Sequence, residues 1–140
     1  MSLKDWFPRD KNEKAVPQAA VGKKYELVPD QRFLLDGMTL YRVRAMRDFG
    51  NVKCGDLGGF VMSESNLSQD GNCWIYHDGQ VFGNARIYGN ATVCDSARVF
   101  DEAQIGGNVR IFASARVYGW WKADGHEKIS GYVMAMRPRI

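Results

Sequence analysis

Two histidines are the side chains in this 140-residue sequence that could act as a general base near neutral pH. His77 precedes Asp78, and His126 follows Asp124 and Gly125. A neutral imidazole can take a proton from a hydroxyl or an amine, so either histidine could activate an acceptor group. Both also lie in turn-like sequence, where exposed polar residues are common without a catalytic role. The sequence leaves these two interpretations open.

The metal-ligating side chains are too few and too scattered to predict a metal site. Cys54, Cys73 and Cys94 are an odd number with no Cys-x-x-Cys spacing, and the two histidines form neither a His-x-His nor a His-Glu-x-x-His arrangement. The cysteines are expected to be free thiols in a reducing compartment. We predict no metal and no cofactor.

The composition is that of a folded protein, with 45% hydrophobic and 25% charged residues. No stretch approaches the roughly 18 apolar residues of a membrane span, and the N-terminal residues lack the apolar run of a signal peptide. The basic excess lies outside residues 61–118, which hold four arginines, no lysine and six acids. We therefore predict a cytoplasmic protein that binds neither membranes nor nonspecific nucleic acid.

A six-residue repeat organises the middle of the chain. Residues 71–118 divide into eight hexads whose fifth residue is always β-branched and whose third residue is nearly always small. The β-branched residues are Ile75, Val81, Ile87, Val93, Val99, Ile105, Ile111 and Val117. Residues two apart lie on the same side of an extended strand, so both positions point inward and the residues beside them point outward.

Three hexads are predicted to form one coil of a triangular parallel β-solenoid. Gly71-Asn72, Gly89-Asn90 and Gly107-Asn108 recur every 18 residues, and glycine and asparagine tolerate the positive φ of a tight corner. The asparagines are expected to stack as a hydrogen-bonded ladder. Each coil then has three faces: face 1 holds residues 73–76, 91–94 and 109–112, face 2 holds 79–82, 97–100 and 115–118, and face 3 holds 85–88 and 103–106.

The residues before the repeat are predicted to form an arm and a cap. Residues 1–22 carry charge and proline without periodicity, which is typical of a mobile arm. Residues 23–56 contain Asp36-Gly37 between two β-prone runs, which predicts a β-hairpin that caps the N-terminal end.

The solenoid itself is predicted to cover residues 57–120, with Leu57 already facing inward. Trp121 falls where a small inward residue is required, so the repeat is expected to stop there. Residues 121–140 are then a C-terminal cap, in which Trp120 and Trp121 form a lid over the end of the coil.

Aromatic and arginine side chains are concentrated at the outward positions. The candidate binding residues are Phe82, Phe100, Tyr118, Arg98 and Arg116 on face 2, and Trp74, Tyr76 and Phe112 on face 1. Successive coils lie about 4.8 Å apart, so the face 2 rings can stack with the guanidinium groups beside them. Such a column either stabilises the sheet alone, joins copies of the chain, or contacts a different partner.

The hexads resemble the hexapeptide motif of left-handed parallel β-helices of the trimeric LpxA-like superfamily, in which an aliphatic residue is followed four residues later by a small one. Residues 41–60, YRVRAMRDFGNVKCGDLGGF, and 63–68, SESNLS, are similar to the lead-in of YdcK-like proteins. These are hexapeptide-repeat proteins of phage and prophage genomes that are often labelled acyltransferases. The resemblance implies an all-β fold: a left-handed parallel β-helix preceded by an N-terminal β-hairpin region and closed by a C-terminal capping segment.

The surface and the resemblance together favour a non-enzymatic binding module that acts through protein-protein contacts. The resemblance implies a host or viral protein as partner, for example in the inhibition of a host defence system, and a location in the bacterial host cytoplasm. Related hexapeptide enzymes are usually trimers, so a trimer or dimer is expected. The alternatives are an acyltransferase that uses acetyl-CoA with His77 or His126 as its base, and a virion component. Against the enzyme, no loop interrupts the eight hexads.

Overall fold

The computed structural model describes residues 22–137, and in that range the chain is all β apart from a 3-10 helix at Glu64–Asn66. A two-stranded hairpin and one further strand come first: β1 (Tyr25–Leu35), β2 (Met38–Ala45) and β3 (Leu57–Val61). The solenoid strands that follow are β4 (Trp74–Ile75), β5 (Gln80–Val81), β6 (Arg86–Ile87), β7 (Thr92–Val93), β8 (Arg98–Val99), β9 (Gln104–Ile105), β10 (Arg110–Ile111), β11 (Arg116–Gly119), β12 (Lys122–Ala123), β13 (Lys128–Ile129) and β14 (Tyr132–Ala135). None of the described residues forms a helix long and apolar enough to cross a bilayer.

The solenoid strands stack into three sheets, one for each predicted face. Face 1 has the order β4-β7-β10-β13, face 3 has β6-β9-β12, and face 2 continues from the hairpin as β1-β2-β3-β5-β8-β11-β14. The pairing between coils is parallel and in register, so that Ile75 lies opposite Val93 and Val93 opposite Ile111. The predicted all-β parallel solenoid is confirmed, with about four coils.

The core is a narrow column of small and β-branched side chains. The inward residues at the third and fifth places of the hexads are almost all buried, and Ile75, Ile87 and Ile105 are among the largest that have no exposed surface. Each coil is joined to the next by backbone hydrogen bonds, such as Gln80 N–H to Ala97 O at 3.0 Å and Arg98 N–H to Ala115 O at 2.9 Å. Each inner solenoid strand is therefore paired with a strand on either side of it in its sheet.

The corner between faces 3 and 1 is built on glycine. Gly107 has φ 59°, and a Cβ there would lie 1.9 Å from the carbonyl oxygen of Asp124 in the next coil, so only glycine fits. In the expected asparagine column, the Asn72 N–H donates to Asn90 Oδ1 at 3.3 Å. Gly125 and His126 follow Gly107 and Asn108 after another 18 residues. His126 therefore occupies the fourth place of this column.

The N-terminal hairpin joins the solenoid edge to edge. Asp36 and Gly37, with φ of 49° and 84°, form its two-residue turn, and β2 pairs antiparallel with β3, which pairs parallel with β5. The prediction that Leu57 faces inward is wrong. Leu57 is 47% exposed, because it lies opposite Arg44 of the hairpin rather than over a coil.

The chain between β2 and β3 folds over face 1 and buries Trp74. The Trp74 ring makes edge contacts with Phe49 and Tyr25 at 5.2 and 6.2 Å between ring centroids. A Cβ on Gly58 would lie 2.7 Å from the same ring. Trp74 is 1% exposed, so the prediction that it is a surface binding residue is wrong, because the cap covers this position.

The prediction that the repeat stops at Trp121 is also wrong. Parallel pairing continues through β12, β13 and β14, with Ala123 opposite Ile105 and Ile129 opposite Ile111. Trp121 occupies the inward place that alanine holds in earlier coils, and Ala123 occupies the β-branched place. The large and small residues are exchanged in this hexad, so the total volume still fits and Trp121 packs against the core.

The predicted mobile arm, residues 1–22, lies outside the described residues except for Gly22, as do the last three residues of the predicted C-terminal cap.

Candidate binding groove on face 1

Face 1 carries a concave groove on its outer surface. One cavity of about 450 Å³ lies against a second of about 360 Å³, and His77, Cys94 and Arg110 line both. The first is also lined by Asn51, Tyr76, Asn90, Thr92 and Asn108, and the second by Asp95, Phe112 and Lys128. We call the two together the face 1 groove.

The repeat places these side chains in columns along the solenoid. Thr92, Arg110 and Lys128 lie opposite one another on β7, β10 and β13 and form the floor. The N-terminal end of the groove is bounded by Asn51, which follows Gly50, and a Cβ on Gly50 would lie 3.7 Å from the Asn72 side chain. The corner asparagines bound one side and the His77 corner bounds the other.

His77 sits at the corner between faces 1 and 2 with φ 56°, and Asp95 and Ala113 hold the same corner in the next coils with φ of 59° and 58°. The side chains of His77 and Asp95 each accept a hydrogen bond from the backbone one coil further on. The Asp95 N–H donates to His77 Nδ1 at 3.3 Å, and the Ala113 N–H donates to Asp95 Oδ2 at 2.8 Å. His77 and Asp95 therefore do the same structural work at this corner.

The hydrogen bond to Nδ1 determines which nitrogen of the neutral His77 imidazole carries the proton. A nitrogen that accepts a hydrogen bond has no proton of its own, so the proton of neutral His77 lies on Nε2. Nε2 is then a donor, and the basic nitrogen faces the Asp95 backbone instead of the solvent. Asp95 Oδ1 lies 3.5 Å from Nδ1 and can pair with it when the ring is protonated. In both states Nε2 donates, so His77 is suited to bind an acceptor and poorly placed to take a proton.

The thiol and phenol of the groove are neutral groups. Burial raises the pKa of the Cys94 thiol, and the Asp95 carboxylate raises it further while Arg110 opposes the shift. Burial also raises the pKa of the Tyr76 hydroxyl. A protonated thiol is a poor nucleophile, and Cys94 is 8% exposed with its sulfur 3.6 Å from the Ile111 carbonyl oxygen. These side chains can pack and hydrogen-bond but are not set for covalent chemistry.

The structure brings only part of the predicted site together. His77, Tyr76 and Phe112 line the groove. His126 is exposed and lies at the opposite corner, outside the groove lining. The two candidate bases are therefore on different corners.

The face 2 aromatic column is a stack on a flat sheet. The rings of Phe82 and Phe100 are 5.0 Å apart and those of Phe100 and Tyr118 5.1 Å, each pair within 3° of parallel. The predicted stacking is confirmed, but the prediction that Phe82 is a surface binding residue is wrong, because its ring is 8% exposed. Arg98 and Arg116 beside the column are half-buried. Stacking between coils buries most of the ring surface, so this column offers little apolar area to a partner.

Sequence reasoning missed most of the polar groove residues. These are Asn51, Asn90, Thr92, Cys94, Asp95, Asn108, Arg110 and Lys128. The signal that could have found the floor is the 18-residue interval, which places Thr92, Arg110 and Lys128 in one column once the coil is extended past Trp121.

Known proteins share the repeat. The family model described as YdcK β-solenoid repeat matches residues 80–95, 85–100 and 103–119. The protein named "Uncharacterized acetyltransferase YdcK" from Escherichia coli (strain K12) is 38% identical to this chain over 71 residues. That match covers 45% of this chain and 22% of the relative, so it spans about a fifth of that protein's length. The predicted resemblance is confirmed for the repeat.

Proposed function

We propose that this chain, a YdcK-like β-solenoid protein, is a binding module. It holds a partner in the face 1 groove without catalysing a reaction. The observation that carries the proposal is the groove itself, in which amides, a guanidinium, an ammonium and an imidazole N–H converge on a rigid concave surface.

The state of the reactive side chains supports binding over catalysis. The basic nitrogen of His77 is engaged by the Asp95 N–H, and the raised pKa of the Cys94 thiol keeps it protonated near neutral pH. A general base must face the proton that it abstracts. Neither group meets the requirement for its reaction, whereas both can remain in contact with a bound partner.

The test is a fragment screen by two-dimensional amide NMR with a matched pair of variants. Thr92→Trp fills the groove floor with a residue type that the same column already holds at Trp74. Gln104→Trp makes the same change on the exposed surface of face 3. We expect fragments to shift the amides around Thr92 and Arg110, and we expect these shifts to vanish in Thr92→Trp and persist in Gln104→Trp. Fragment binding that is the same in both variants, or that lies elsewhere, would overturn the proposal.

Acetyl transfer is the second candidate. It is favoured by the name of the Escherichia coli relative and by the position of His77 at the groove edge. The assay measures release of coenzyme A from acetyl-CoA with a panel of amine and hydroxyl acceptors. Binding without catalysis predicts no turnover above the rate without protein. Turnover that His77→Asn abolishes would establish the enzyme and contradict our proposal.

The proposal extends to the kind of partner, the location and the oligomeric state. We propose a protein partner of host or viral origin in the bacterial cytoplasm, with inhibition of a defence system as one such role and a place in the virion as the alternative. Copurification with particles would favour the virion. The expected trimer or dimer is tested by light scattering on the eluting peak, and a monomeric mass would refute it.

A further inference from the structure

Two cations lie side by side on the floor of the face 1 groove without a counter-ion from the described residues. Arg110 and Lys128 are directly opposite on β10 and β13, and both are exposed. Neither takes part in the ion pairs found within residues 22–137. Like charges at directly opposite positions of neighbouring strands destabilise a sheet. An anion bound between them would relieve this repulsion.

Asp95, the carboxylate that lines the groove, contacts the corner of the coil rather than the two cations. Asp95 Oδ2 accepts the Ala113 N–H at 2.8 Å, and Oδ1 faces the Nδ1 of His77 at 3.5 Å. Both oxygens are directed to the corner of the coil. Neither Arg110 nor Lys128 forms an ion pair with Asp95.

The other faces deal with their cations differently. On face 3, Gln104 separates Arg86 from Lys122 in the same column. On face 2, Arg98 and Arg116 are neighbours, but the Arg116 guanidinium lies 5.7 Å from the centre of the Tyr132 ring and its Nε–H donates to the Tyr132 hydroxyl at 3.4 Å. Paired cations and a cavity above them coincide on face 1.

We propose, on the basis of the binding function inferred above, that the face 1 groove recognises the carboxylate groups of an acidic segment of a partner protein. The guanidinium of Arg110 can bind a carboxylate through two parallel hydrogen bonds. Lys128 adds a second charge, and the Nε2–H of His77 adds a donor at the edge.

The asparagine side chains of the groove suit the peptide part of such a segment. Asn51, Asn90 and Asn108 line the cavity next to the cations, and an asparagine amide offers both donors and an acceptor. Peptide groups need partners of both kinds. A segment that runs along the groove therefore meets Lys128 at one end, Asn51 at the other and Arg110 between them.

The experiment uses a fluorescein-labelled hexaglutamate peptide and measures its anisotropy with the full chain. We expect saturable binding that weakens as salt is added. Arg110→Gln and Lys128→Gln are each expected to weaken binding about 10-fold or more, since a hydrogen bond to a charged group typically has an effect of this size. The matched controls are Arg86→Gln and Lys122→Gln, which remove the same charges from the equivalent exposed positions on face 3.

Four results would overturn this inference. The first is binding of hexaglutamine as tight as that of hexaglutamate, which removes the charge requirement. The second is competition by acetate or inorganic phosphate as strong as that by the unlabelled peptide, which makes the ligand a small anion. The third is the absence of peptide binding, and the fourth is an equal loss of affinity in the face 1 and face 3 variants. The fragment screen with Thr92→Trp decides separately whether the groove binds at all, so a groove that binds only neutral fragments refutes the acidic ligand alone.

Discussion

Exchange of the large and small inward residues in the last hexad of face 3, Trp121 and Ala123, should restore the usual order of the repeat. Trp121 and Ala123 both point inward, and they hold the small and the β-branched places of the repeat. Trp121→Ala alone is expected to cost about 2.5 kcal/mol of unfolding free energy, below the range of about 3 to 5 for a fully buried Trp because this ring is half-buried. Ala123→Ile alone should cost about 1.5 kcal/mol, because the added carbons meet the Trp121 ring.

The double variant Trp121→Ala, Ala123→Ile has the small and aliphatic residues in their usual order. Additive effects would give about 4 kcal/mol, whereas we expect about 2, a coupling of about 2 kcal/mol. Urea unfolding followed by circular dichroism measures the four proteins of the cycle, and a coupling of this size moves the midpoint by about 1 M. Lys122→Ala is the control, because Lys122 is exposed between the two positions. Additive losses would refute the exchange.

Three further predictions concern the corner, the column and the cap. The unfolding free energy of His77→Asn should lie within about 0.5 kcal/mol of the wild type, because asparagine tolerates positive φ and its Oδ1 can accept the Asp95 N–H. His77→Ala should lose about 1 kcal/mol. Equal losses of the two variants in urea unfolding would contradict this corner role. Phe100→Ala should lower the unfolding free energy by about 3 kcal/mol, and by more than Tyr118→Ala does, because Phe100 stacks on two rings. The reverse order of the two variants in thermal unfolding would show that the stacking does not stabilise the fold. Burial raises the pKa of Tyr25 above its usual 10.0, so the folded state keeps a proton that the unfolded chain loses at high pH. The unfolding free energy should therefore fall as the pH rises above about 10, and it should fall less steeply in Tyr25→Phe. The same slope of unfolding free energy against pH in both proteins would count against this prediction.

Most of the fold could be predicted because its determinants are periodic. Alternation of inward and outward residues is a property of any extended strand, and the 18-residue interval of Gly-Asn corners gives the coil its three faces. The hairpin turn at Asp36 and Gly37 was predictable for a similar reason, since its backbone angles depend on those two residues. Stacking of the face 2 rings followed from the same register.

The errors concern residues whose surroundings come from distant parts of the chain. Trp74 has the sequence position of a surface residue but is buried by Phe49 and the rest of the cap. Trp121 by itself predicts the end of the repeat, because its place in the hexad requires a small residue. The compensating Ala123 becomes visible only when β12 is paired with β9.

The sequence by itself determined the repeat, the inward columns and the residue types on each face, because these depend on intervals along one strand. Only the tertiary structure decided which face is concave and what its residues can do. One end of the face 1 groove is bounded by Asn51, which lies in the loop between β2 and β3. The proton of neutral His77 is on Nε2 because the Asp95 N–H, one coil away, occupies Nδ1. Burial and hydrogen-bond partners arise from packing between coils, so they cannot be obtained from the order of residues within one coil.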